Sequence, residues 1–300
     1  MQRDAFVVSA AMISRIRKIN QAIHEQGILF ILAPSGSGKD RFLDWWWQEG
    51  CAHVSLDATQ RISPEDIIFG SLVPPPSRSV PPTCVAFSKI WHGLRERERE
   101  RRNNYHQPAT KIRSWYTEQQ ALSLVYDHVH PLANQIDPKA IVLLNGEYLD
   151  KRALLYLLEL RNPFQRGRPH LPRRALVISV TANPESLEEN KFGKMVNEIK
   201  ELRRFWSDHM VIDFMDAPEF QEVLLIFIRR NLQAVFANDI DHDMVIQEAA
   251  EWTQGDWRLL AKQLIPLIDQ ELGPQIGTTP RQFTHSTWQR VRNRWQKRLW

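Results

Sequence analysis

The sequence predicts an α/β fold built on a parallel sheet and followed by a helical segment. Three observations carry this. Ile28-Leu29-Phe30-Ile31-Leu32 is a continuous apolar run of strand length, as expected for a strand buried on both faces. Strand-like and helix-like segments then alternate as far as Phe214, and from Pro218 to Leu272 the pattern is helical throughout.

The elements read in order. Val7, Val8, Ala11, Ile13, Ile16, Ile19 and Ile23 recur at helical intervals, and Gly27 ends that helix. After the Ile28 strand and the helix beginning Arg41-Phe42-Leu43, His53 to Asp57 reads as a second strand. Ser63-Pro64-Glu65-Asp66 has the composition of a helix start. Next come a helix over about 118–134, a strand Ala140 to Leu144, a helix Asp150 to Arg161, a strand Ala175 to Thr181, a helix near 185–206 and a strand Met210 to Phe214. Three helices follow, over about 218–236, 242–253 and 256–272. Residues 73–117, with Pro74, Pro75, Pro76, Pro81 and Pro82 and the run Arg95 to Arg102 of alternating charge, read as an insertion carrying a solvated helix.

Composition bounds the function. A chain of 300 residues, 43% hydrophobic and 25% charged, fills one large or two modest domains. Its longest apolar run, Gly27 to Pro34, is far short of the roughly 20 residues of a membrane span. Met1-Gln2-Arg3-Asp4 leads into a mixed segment without the apolar core of a secretory signal, so a cytoplasmic protein with no membrane partner is expected. Two cysteines, Cys51 and Cys84, without metal-ligand spacing point to reduced thiols. The net charge of +4 is uneven: residues 281–300 carry +6 with no acid, leaving −2 on the rest. A basic patch suits a polyanionic partner.

Ala33-Pro34-Ser35-Gly36-Ser37-Gly38-Lys39-Asp40 lies between a buried strand and a helix, the context of a phosphate-binding loop. Gly36 and Gly38 let successive backbone N–H groups turn inward at phosphate oxygens, the helix start adds partial positive charge, and Lys39 supplies a full one. Two positions depart from the G-x-x-x-x-G-K-[ST] pattern: Ala33 stands for the first glycine, and Asp40 for the hydroxyl that ligates magnesium. A carboxylate is also a hard ligand for Mg2+, but it sets negative charge beside the phosphates. Phosphoryl transfer further requires acids at the end of a neighbouring strand. After Ile141 to Leu144 the sequence offers Asn145, a neutral and weak magnesium-side group, and Glu147, a base for water or a helix-start carboxylate.

These pieces together resemble the AAA+ ATPases, within them the initiator-like group of the TniB, TnsC and MuB transposition regulators. The resemblance runs over about residues 5–272 and adds three segments: Val177 to Asn183, similar to a sensor-1 strand; Leu202-Arg203-Arg204-Phe205, similar to an arginine-finger segment; and Gly255-Asp256-Trp257-Arg258, similar to a sensor-2 motif. It implies a P-loop, three-layer αβα core over 1–216, a small helical lid over 217–272, and a basic, Trp-rich tail over 273–300. It further implies ATP and Mg2+ as cofactors. Pro34, Ser35, Gly36, Ser37, Gly38, Lys39 and Asp40 would line the nucleotide, with Asn183 or Thr181 at the γ-phosphate side and Arg258 reaching back from the lid. Glu147 and Arg204 would be catalytic, Arg204 in the next subunit's site. Asp40 and Asn145 put hydrolysis in doubt.

Five arginines without an acid, Arg161, Arg166, Arg168, Arg173 and Arg174, span one loop and suit sequence-tolerant contacts to DNA phosphates. The tail places Trp288, Val291, Trp295 and Leu299 on one helical face, to dock on a partner, on the body or on DNA. The function expected is an ATP-binding regulator of DNA transposition that forms a homo-oligomeric ring or filament on duplex DNA and recruits or activates a transposase. A conventional DNA-acting loader or remodeller hydrolysing ATP through Glu147, and a nucleotide-free adaptor of AAA+ shape, are the alternatives.

Overall fold

The computed structural model describes residues 8–51, 62–71, 125–130, 133, 137–162, 173–183, 190–275 and 278–298. The chain forms two compact units. One comprises Ile16–Ala33 and Trp46–Val211; the other comprises Met1–Arg15, Pro34–Trp45 and Ile212–Trp300.

The first unit is a mixed α/β body around a five-stranded parallel sheet. Its strands are β1 (Ile28–Ala33), β2 (Ile67–Ser71), β3 (Ala140–Leu144), β4 (Ala175–Thr181) and β5 (Met210–Val211), in spatial order β2-β3-β4-β1-β5. β1 is buried along its whole length because β4 pairs with it from Ile28↔Leu176 to Ala33↔Thr181 and β5 lies on its other edge. The apolar run is therefore a central strand, as its composition requires. One core joins Phe30 and Leu32 of β1 and Ile178 and Val180 of β4 to Leu154 and Leu157 of the helix Lys151–Arg161 and to Leu202 and Trp206 of the helix Lys200–Ser207. Phe30 meets the Trp206 ring edge-on, centroids 5.2 Å apart. Asp150 caps its helix by accepting the N–H of Ala153 at 2.7 Å.

Several elements differ from the sequence expectation. The helix start at Ser63 is a single 3-10 turn, Pro64–Asp66, and Ile67-Ile68-Phe69 run on as β2 beside β3; the β-branched and aromatic run satisfies its backbone in the ladder. The helix near 185–206 is two helices, Lys191–Glu198 and Lys200–Ser207, broken at Ile199, which takes an extended conformation and buries its side chain. β5 pairs over two residues, Met210 and Val211, not to Phe214. The expected strand His53 to Asp57, the insertion 73–117, and most of the 118–134 helix lie outside the described residues.

The second unit contains the helix Lys39–Trp45 and helices Ala217–Ile226, His242–Thr253, Ile265–Leu272 and His285–Arg298. It also contains strands where helix alone was expected. β6 (Ala234–Phe236) pairs in parallel with β7 (Arg281–Phe283), because Gln233 adopts a left-handed φ of 47° that stops the preceding helix. The residues of the basic tail are thus part of this unit. Trp288 is fully buried, stacked on Trp252 with centroids 4.9 Å apart, and Trp295 stacks on the same ring at 5.8 Å. Four of the tail's cations pair internally: Arg281 with Asp269, Arg290 and Arg294 with Glu271, and Arg292 with Glu248. Among the described residues, no helix is long and apolar enough to cross a membrane.

Truncating Trp288 to Ala removes the fully buried ring of this stack and is expected to lower unfolding stability by about 3–5 kcal/mol in chemical denaturation.

Candidate functional site

The loop Pro34–Asp40 belongs to the second unit. Gly36 and Gly38 have φ of 104° and 83°, values that side-chain-bearing residues rarely adopt, so the sequence's two glycines stand where the backbone curls. Lys39 is the first residue of its helix and is buried, with 7% of its side chain exposed. Its Nζ donates to Asp40 Oδ1 at 2.8 Å. A buried ammonium needs a counter-charge, and the residue that replaces the pattern's hydroxyl supplies it. Ser37 Oγ is buried without a hydrogen-bond partner.

A second segment of the same unit lies against this loop. Asp256 caps the turn Trp257–Leu259 by accepting the N–H groups of Arg258 and Leu259 on Oδ1, at 2.6 and 3.0 Å. Its other carboxylate oxygen is packed on Gly36: a Cβ there would stand 2.2 Å from Oδ2. A Cβ on Gly38 would stand 2.8 Å from Trp257 Cγ. The exposed Arg258 points its guanidinium at Ser35 Oγ, 3.5 Å away. The structure therefore brings together the loop and Arg258, while Asp256 and Trp257, in the same segment that resembles a sensor-2 motif, are loop neighbours to which the sequence assigned no role of their own.

In the first unit, the ends of β3 and β4 place the remaining residues. Asn145 directly follows β3 and is left-handed, φ 59°, which Asn tolerates better than most residues. Gly146 has no room for a side chain, since a Cβ would lie 2.3 Å from Ile178 Cγ2. Glu147 Oε2 accepts the backbone N–H of Thr181 at 2.9 Å. Thr181 is in register with Ala33, so this carboxylate sits at the sheet edge where β1 ends. Asn183 is exposed two residues beyond β4. Arg204 is exposed on the last turn of its helix, its guanidinium 4.5 Å from the Phe205 ring centre. Among the described residues no group of three or more His, Cys, Asp or Glu is placed to hold a metal ion. Mg2+ would have to arrive with phosphate oxygens as its other ligands, with Asp40 supplying one hard donor.

The arginine loop divides. Arg174 is buried and donates to the carbonyls of Leu160 and Ala133 at 2.8 and 2.9 Å and to Asp137 at 2.9 Å. Arg161 is buried and donates to the Gln26 carbonyl; burial, then Arg173 and Arg204 nearby, push its pKa down from the ordinary value. These two guanidiniums are anchors of the unit, a role their run of sequence conceals. Arg173 is exposed, and Arg166 and Arg168 lie outside the described residues.

No protein-family model and no curated protein matches the chain. Among solved structures it is similar to a Walker-type ATPase of Pyrococcus abyssi, with 12% identity, 95% of this chain and 71% of that chain covered, and a TM-score of 0.45.

Arg174→Ala leaves two buried carbonyls without their donor and is expected to cost about 2–4 kcal/mol of stability, whereas Arg173→Ala is expected to change it by less than about 0.5 kcal/mol in the same denaturant titration.

Proposed function

We propose that the protein binds a nucleoside triphosphate, ATP by its resemblance, on the loop Pro34–Asp40, and that the bound state rather than rapid turnover is its working signal. The observation that carries this reading is the loop itself: two glycines with positive φ leading into a buried lysine at a helix start, directly after a central parallel strand. Backbone N–H groups in such a curl and the first N–H groups of the helix form an anion cradle.

Slow hydrolysis follows from what surrounds the cradle. Lys39 is paired with Asp40, so a phosphate shares the ammonium with that carboxylate. The charge Asp40 brings stands beside the phosphates whose negative charge the transition state must spread. The end of β3 offers neutral Asn145, and Glu147 is oriented by accepting the Thr181 N–H on Oε2.

The finer reading is a regulator of DNA transposition that assembles as a homo-oligomer on duplex DNA and recruits or activates a transposase. It rests on the resemblance. Supporting it, Arg161, Arg173 and Arg204 come together in the first unit, where the helices ending at Arg161 and Ser207 precede β4 and β5. Topology puts this cluster at the sheet edge opposite the end of β1. Arg161 is buried, and the exposed guanidiniums of Arg173 and Arg204 suit phosphodiester contacts independent of base sequence. The internal ion pairs of the tail favour the cluster over the tail as the DNA contact.

Lys39→Ala is expected to weaken ATP binding by about 10- to 100-fold in equilibrium titration, the worth of a lost charge-assisted contact. Equal affinity in wild type and variant contradicts the reading.

Arg173→Ala is expected to reduce the slope of log K against log salt for duplex DNA by roughly 0.9, the value of one phosphate contact. An unchanged slope assigns DNA binding elsewhere.

A further inference from the structure

The phosphate loop is closed by its own unit. Gly36 and Gly38, whose freedom from side chains serves phosphate approach, are packed against Asp256 and Trp257. Trp257 is buried and its ring lies 5.7 Å from that of Phe227, so the contact is part of a packed turn and not a loose side chain. Asp256 divides its carboxylate: Oδ1 caps the turn, and Oδ2 is the oxygen against Gly36. A negative charge thus stands on the loop that would receive phosphates.

The chain just before this turn is built to hold it. Gln254 and Gly255 are both left-handed, φ 51° and 72°. Gly255 cannot be replaced where it stands, because a Cβ would lie 2.4 Å from the Met215 carbonyl oxygen, and its own carbonyl accepts the Met215 N–H at 3.1 Å. Gly255 adopts positive φ freely, and rotation about Gln254 and Gly255 would move Asp256 and Trp257 as a block.

We propose that Gly255–Arg258 is a strap over the phosphate loop, in which the Asp256 carboxylate is an internal competitor for the phosphates of the incoming nucleotide. The proposal rests on the reading of Pro34–Asp40 as a phosphate loop. Nucleotide enters when the strap, with Arg258 on it, swings off the glycines. The penalty grows with ligand charge, so the strap opposes a triphosphate more than a nucleoside.

The test compares ATP and adenosine binding by the full chain and two variants. Asp256→Asn removes the charge and keeps a capping oxygen. Asp241→Asn makes the same change at a second cap of this unit, where Asp241 accepts the N–H groups of Asp243 and Met244. Asp256→Asn is expected to bind ATP about threefold or more tighter than wild type, with adenosine unchanged and the gain shrinking as salt rises. Asp241→Asn is expected to match wild type. Equal ATP affinity in Asp256→Asn and wild type, or an equal gain in Asp241→Asn, overturns the strap and leaves the phosphate loop standing. Absence of ATP binding in wild type and Asp256→Asn alike overturns both.

Discussion

Lys39 is buried, and its charge has to be compensated where it stands. An ammonium taken out of water is costly unless an anion meets it, and the anion here is the adjacent Asp40 at 2.8 Å. That pair sets the character of the loop. It lets a lysine remain at the helix start with no ligand present, and it makes any phosphate share the ammonium with a covalently tethered carboxylate. A hydroxyl at the same position would leave the lysine free for phosphate and offer a neutral magnesium ligand. The substitution that breaks the usual pattern is thus also what stabilises the loop.

The parallel sheet supplies the other constraint. β1, flanked by β4 and β5, fixes where the chain leaves the sheet at Ala33, and its register with Thr181 places Glu147 at that same edge. Opposite, the ends of two helices gather Arg161, Arg173 and Arg204.

Much of this was legible in the sequence where period and composition agree. The apolar run at Ile28, the helix after Asp150 and the strand at Ala175 are fixed by burial on one or both faces, and their bounds came close to those observed. β2 was not legible, since Ser63-Pro64-Glu65-Asp66 carries a genuine cap and the ladder partner that extends Ile67 onward is far away in sequence. β6 was hidden inside an amphipathic pattern that only the left-handed Gln233 interrupts. At the site, glycine spacing and Lys39 could be read directly. The division of the arginines could not: Arg173 and Arg174 are neighbours of identical type, and only the carbonyls of Leu160 and Ala133 distinguish the buried one. The Asp256 contact was equally silent, because it joins residues more than two hundred positions apart.

On the proposed reading, the loop holds a nucleoside triphosphate without promptly cleaving it. A single-turnover experiment tests this most directly: protein in excess over radiolabelled ATP with Mg2+, quenched over time and resolved into ATP and ADP. The expected result is label retained by the protein that remains ATP over many minutes. Bound label converted to ADP and phosphate within seconds would contradict it, and so would label that is never retained.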